Sequence, residues 1–164
     1  MSPDSEQTHR VDVQLRPSIW RRANASQRRD LKLIVHELST TSEFKLAHGL
    51  DDEMEWGIRL GLGPEAFIVT LVDRDGRTLR ILPIPLGPLR SLICDYLSII
   101  RRMGDAIGAH GMTHLEALDM ARRSAHNEAS ERIREALQDV LLVDAETARR
   151  LFTVLCLVYD TPAR

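Results

Sequence analysis

The chain has 164 residues, 43% of them hydrophobic and 28% charged, with a formal net charge of −2. That length suits one domain, on a scale of about 100 to 200 residues each, and the apolar fraction is enough for a real core. The near-neutral balance sets up no global field that would recruit nucleic acid or an anionic membrane.

Cys94 and Cys156 each lie in an apolar segment with no C-x-x-C partner, so reduced, mostly buried thiols are expected rather than a disulfide framework or a zinc site. Residues Met1 to Arg10 lack the apolar stretch of a signal peptide, and Leu151 to Tyr159 is too short to cross a bilayer. A cytoplasmic location without a membrane partner is the expectation. Lys32 and Lys45 are the only lysines, leaving little for Schiff-base chemistry.

In chain order, residues 1–9 read as a disordered tail and 10–164 as a single α+β domain. An antiparallel sheet of about four strands is expected there, covered on one face by helices starting at Pro88 and Thr113, with a buried C-terminal helix against them. Val11, Val13 and Leu15 alternate with polar residues in the period of a half-buried strand that Pro17 ends. Leu31, Ile34, Val35 and Leu38 then fall at helical spacing, predicting a helix over 26–38 with Asn24 or Ser26 as N-cap. Arg21, Arg22, Arg28, Arg29 and Lys32 make its approach basic beside Trp20. A solvated helix face is the preferred reading of that patch, with nucleic acid an unlikely partner.

The middle of the chain reads as an antiparallel meander. Trp56, Ile58, Leu60 and Leu62 alternate with Gly57, Arg59, Gly61 and Gly63, Phe67 to Val72 is apolar apart from Thr70, and Leu79, Ile81 and Ile84 follow the turn Asp73-Arg74-Asp75-Gly76. Gly61-Leu62-Gly63 lacks the third glycine of a phosphate loop and joins strand to strand. Asp51, Asp52, Glu53 and Glu55 do not have calcium-loop spacing and read as an acidic connection.

Gly87-Pro88 opens a helix, because proline suits a first helical position. Leu89, Leu92, Ile93, Tyr96, Leu97, Ile100, Met103 and Ile107 form its stripe until Gly108 to Gly111 break it. Thr113 and Glu116 have capping-box spacing and start a second helix over 112–138, so the two form a helical hairpin. His110 and His114 lie close in sequence, but with no third ligand nearby no metal is expected. Asp144 is a candidate N-cap for a last helix, which is apolar nearly all round and therefore expected to be buried.

At about 100° per residue, Leu115, Leu118, Ala125, Ala129, Ile133, Ala136 and Leu137 form the apolar stripe of the 112–138 helix. Asp119, Arg122 and His126 fall inside or at the edge of that stripe, three and four residues apart. Buried charge requires pairing and hydrogen bonds, so a mutually satisfied network is expected. Were Asp119 and Arg122 a buried pair, Arg122→Ala would cost roughly 3 to 5 kcal/mol. Arg149 and Arg150, near the start of the last helix, are expected to find acidic partners, with Asp119 and Glu128 as candidates.

The run ALDMARRSAHNEAS from Ala117 to Ser130, with DAETARRLFTVLCLVY from Asp144 to Tyr159, resembles the small bacterial proteins of uncharacterised protein family 0262. The resemblance also takes in Asp95-Tyr96 and, more loosely, the strands. Asp119, Met120, Arg122, Arg123, His126, Asn127, Glu128 and Ser130 match its pattern, as do Asp144, Thr147, Ala148, Arg149, Arg150, Leu151 and Phe152. Ala121, Ser124 and Ala129 stand where that pattern has glycine, and alanine is the better helix former. The resemblance implies no activity and no cofactor.

Two functional classes remain. In the preferred one the chain is a non-catalytic interaction or regulatory module, with a protein partner or a second copy of itself as occupant. Asp119, Arg122, Arg123, His126, Asn127, Glu128 and Arg149 are then partly structural and partly a docking surface. In the alternative the same cluster is a small-anion or enzymatic site, with Arg122 or Arg149 gripping phosphate or carboxylate and His126 or Glu128 moving a proton. Convergence of these side chains into a pocket favours the alternative, and a packed network favours the module.

Overall fold

A computed structural model describes residues 11–47, 55–106 and 112–159. Strands β1 (Asp12–Leu15), β3 (Trp56–Leu62), β4 (Ala66–Asp73) and β5 (Thr78–Pro85) form one sheet in the order β1-β3-β4-β5. β2 (Phe44–Leu46) and β6 (Leu141–Val143) form a separate antiparallel pair. The helices are α1 (Pro17–Arg22), α2 (Ala25–Thr40), α3 (Gly87–Ala106), α4 (Met112–Leu137) and α5 (Ala145–Tyr159).

The meander β3-β4-β5 is antiparallel as its turn chemistry predicts. Gly76 has φ +81°, and its N–H donates to the Asp73 carbonyl while Asp73 N–H donates to Arg77, closing the hairpin. β1 departs from the expectation of a wholly antiparallel sheet, because it runs parallel to β3. A parallel pair needs a long crossover, and here α1, α2 and β2 lie between the two strands.

Alternation sorts the sheet into two faces. Val13, Leu15, Ile58, Leu60, Phe67, Val69, Leu71, Leu82 and Ile84 are buried on the inner face. The helices gather there, with α5 against β3, α4 against β5 and α2 beside β1. α3 lies chiefly along α4, so α5 rather than the Pro88 helix sits nearest the middle of the sheet. The apolar circumference of α5 explains its place: Leu151, Phe152, Val154, Leu155, Cys156 and Val158 are all buried. The outer face carries Asp12, Gln14, Gly57, Arg59, Gly61, Thr70 and Ile81.

Local signals account for most element ends. Asn24 Oδ1 accepts from Gln27 N–H at 2.8 Å while Gln27 Oε1 accepts from Asn24 N–H at 2.9 Å, a complete capping box for α2. Asp144 Oδ1 accepts from Thr147 N–H at 2.8 Å at the start of α5. α1 was hidden because Pro17 ends β1 and also occupies the first helical turn, where its missing N–H costs nothing. β2 and β6 have 3 residues each, too few for a periodic signal.

Three burial expectations are corrected. Cys94 is exposed, although Cys156 is buried, because Cys94 faces away from the α3 stripe. Ile100 is 42% exposed on α3, and Ala136 is exposed on α4. The 1–9 tail, the carboxylates at 51–53, Ile107, His110 and the 108–111 break lie outside the described residues.

Candidate functional site

Three aromatic rings, one from each of α3, α4 and α5, meet where the long helices cross. His126 lies 5.4 Å from Tyr96 and 5.2 Å from Phe152, and Tyr96 lies 5.5 Å from Phe152, the last two contacts being edge-on. Edge-on and tilted contacts suit the ring quadrupoles. Phe152 is fully buried and anchors the triangle from below.

Polar groups close around this triangle from both ends. At one end Arg122 donates to Asp119 Oδ1 from Nε at 3.2 Å and from Nη2 at 2.9 Å, and its charge acts on the Tyr96 hydroxyl. Arg123 reaches the other Asp119 oxygen at 2.8 Å. At the opposite end Arg149 donates to Asn127 Oδ1 at 2.6 Å and to Glu146 at 2.7 Å. Between them the His126 Nε2 sits 3.3 Å from the Thr153 hydroxyl oxygen.

The Thr153 hydroxyl donates its proton to the Arg149 carbonyl at 3.0 Å, so toward His126 it can only accept. That places a proton on Nε2, and the charge of the ring then depends on its second nitrogen. Burial is the largest cause of a His126 pKa pushed down to about 4, followed by the positive charges of Arg149 and Arg122, with Glu146 opposing. Asp119 is held below the usual carboxylate range first by its hydrogen bond from Arg122, against a smaller effect of burial. Burial raises Tyr96, while Arg122 pulls it down. At neutral pH the imidazole is uncharged, and a pKa of about 4 makes it a weak base.

Of the residues predicted from sequence, Asp119, Arg122, Arg123 and His126 join through Tyr96, and Asn127 joins through Arg149. Glu128 is turned away to Arg132, at 3.6 Å. Neither Asp119 nor Glu128 supplies the partner expected for the arginines of α5: Arg149 uses Asn127 and Glu146, and Arg150 uses Ser42 at 3.1 Å with Glu37 at 4.0 Å. The i,i+3 neighbour Glu146 is simply nearer. The Asp119–Arg122 pair is not buried either, with side chains 30% and 33% exposed. The apolar stripe of α4 narrows there because α3 covers it only in part, so the pair belongs to the rim.

Sequence reading missed Tyr96, Phe152 and Thr153 as members. Tyr96 and Phe152 read as ordinary core positions, and the contact between three helices has no signature in any one of them. Among the described residues, no group of three His, Cys, Asp or Glu side chains is placed to hold a metal ion. No described helix is long and apolar enough to cross a membrane. Two concavities of about 450 and 500 Å³ open near the outer side of β1 and β3, and no member of the aromatic cluster lines either of them.

The model of an uncharacterised protein family (UPF0262) matches residues 7–160. The chain belongs to that family. A UPF0262 protein of Novosphingobium aromaticivorans is 35% identical over 147 residues, covering 86% of this chain and 88% of its own. Another, from Mesorhizobium japonicum, is 28% identical over 95% of this chain and 96% of its own, and one from Brucella canis is 29% identical over 97% and 98%. No solved structure matches the chain. The names of these UPF0262 relatives carry no activity, so function has to be argued from the residues.

Proposed function

We propose that this UPF0262 protein is a non-catalytic interaction or regulatory module. The Tyr96–Arg122–His126–Arg149 cluster clamps α3, α4 and α5 together, and its outer residues Arg123, Asn127 and Glu128 belong to a docking surface. A cytoplasmic setting belongs to the same reading. The observation that carries it is mutual satisfaction. Asp119 accepts from Arg122 and Arg123, Thr153 bridges His126 to the α5 backbone, and Arg149 is held by Asn127 and Glu146. A catalytic arrangement needs a general base within reach of a place where a reacting atom can sit. Here the described imidazole of the cluster is a weak base, its pKa pushed down to about 4, with its Nε2 proton directed at a threonine.

His126→Phe tests the clamp, because it keeps a ring between Tyr96 and Phe152 and removes both nitrogens. A clamp accepts the change and keeps its fold at neutral pH, with no change in any catalytic background. Hydrolysis of chromogenic phosphate or carboxylic esters by the parent chain that disappears in His126→Phe would sink the module reading. Light scattering at micromolar concentration tests the docking surface. Self-association is expected to weaken in Arg123→Glu and Glu128→Arg, while a strictly monomeric parent removes a second copy as the occupant.

A further inference from the structure

On the outer face of β3 alternation places Gly57, Arg59 and Gly61, so a single long side chain stands between two positions that have none. Glycine weakens a strand and marks the close approach of another group. At Gly61 that group is Arg16: a Cβ there would lie 2.7 Å from Arg16 Cδ and 3.0 Å from Nε, so the Arg16 side chain crosses β3 over the glycine. Arg16, Arg59 and Arg21 border one concavity of about 500 Å³, together with Gln14 and Ser18, and among the described residues no carboxylate lines it.

None of the three arginine side chains makes a hydrogen bond or ion pair among the described residues. Arg59 is half-buried, which makes this costly for a cation. Acids do stand nearby, because Arg59 and Gln14 also border the adjoining concavity with Asp12, Glu55 and Asp73. Each of these contacts another group, and none pairs with Arg59 among the described residues. Asp12 accepts from Gln14 at 3.0 Å, Glu55 faces Arg74 at 3.7 Å, and Asp73 accepts the Asp75 and Arg77 N–H groups at 2.9 and 2.8 Å. Thr70, the cross-strand partner of Arg59, is 1% exposed and its hydroxyl has no partner among the described residues, though Thr70 lines neither concavity.

We propose that this groove binds a small phosphate monoester, its phosphate held by Arg16, Arg21 and Arg59. Guanidinium forks match phosphate oxygens in pairs, and a dianion answers three cations better than a carboxylate with one charge. The volume lies within the range of small-ligand sites, about 300 to 1,000 Å³. The acidic far end at Asp12, Glu55 and Asp73 repels a second phosphate, which sets the site apart from a track for a nucleic-acid backbone. The groove is on the opposite side of the sheet from the aromatic cluster, and the inference stands without the clamp.

Calorimetry on the full chain at low salt, with adenosine monophosphate, inorganic phosphate, adenosine and a short single-stranded oligonucleotide, tests it. Saturable 1:1 binding of adenosine monophosphate is expected, with weaker phosphate and no adenosine binding. Arg59→Gln and Arg16→Gln should each weaken the nucleotide about tenfold. Gly61→Ala should weaken it without changing any charge, because its methyl displaces Arg16. Arg102→Gln on α3 should leave it unchanged, and thermal melts check that every variant is folded. No saturation by about 10 mM, affinities equal across folded variants, or tighter binding of the oligonucleotide than of the mononucleotide would each overturn the proposal.

Discussion

The protein carries two groups of arginines, on opposite sides of its sheet, and they differ in what answers them. On the helical side Arg122 and Arg149 each have acidic or amide acceptors within 3.2 Å, arranged around a neutral histidine. On the open side Arg16, Arg21 and Arg59 have no acceptor among the described residues, and Thr70, paired with Arg59 across the strand, has a buried hydroxyl with none either. A satisfied charge holds elements together, whereas an unsatisfied one is available to a ligand. On the proposed reading the cluster that stands out most in the helical pattern is the architectural one, and the open groove is the ligand site.

Truncating the ring at the centre of the helical cluster should have the largest effect. Phe152 is fully buried, so Phe152→Ala is expected to cost about 3 to 5 kcal/mol in a urea melt. A loss below about 1.5 kcal/mol would mean that the three helices are not packed through it, and the contrast between the two sides would fail.

Acid should act on the same region. His126 has a folded pKa of about 4 against a usual 6.5, so the unfolded chain binds more protons between these values. Its contribution is complete above the unfolded pKa and is lost as pH falls toward 4. After allowance for solvent screening of this partly exposed ring, the loss should be roughly 1 to 2 kcal/mol. His126→Phe should flatten that limb, and an unchanged pH profile would show that the imidazole is not held neutral. Asp119, lowered by Arg122, adds stability above the ordinary carboxylate pKa that disappears in stronger acid.

Paired and unpaired arginines can then be set against each other directly. Arg122→Ala should destabilise the fold by about 1 kcal/mol, the scale of a solvated pair, rather than the larger cost of a buried one. Arg59→Gln should change stability by less than about 0.5 kcal/mol, since no pair is broken. If Arg59→Gln proves the more damaging in matched urea melts, Arg59 is structural and the comparison is reversed.

Thr70→Val gives the smallest effect and the sharpest one. Removing an unsatisfied buried hydroxyl should stabilise the ligand-free protein by up to about 1 kcal/mol. Destabilisation in a thermal melt would show that the hydroxyl has a partner after all.

Several features of this protein follow from local rules, so its sequence alone determines them. Asn24 and Gln27 cap α2, Asp144 caps α5, Gly76 permits the hairpin between β4 and β5, and alternation over 56–62 decides which side chains of β3 reach the core. Each depends on residues within a turn of one another, where spacing is geometry. The order of the candidate residues on α4 was legible for the same reason. Their roles were not. Tertiary packing decided that α3 leaves Asp119 and Arg122 part-exposed, that Tyr96 and Phe152 close over His126, and that β1 joins β3 in parallel. It also laid Arg16 across Gly61, two residues 45 positions apart in the chain, beside Arg59. Solvent exposure and charge pairing depend on neighbours brought in from distant segments, and no periodicity within one segment records which neighbours those will be.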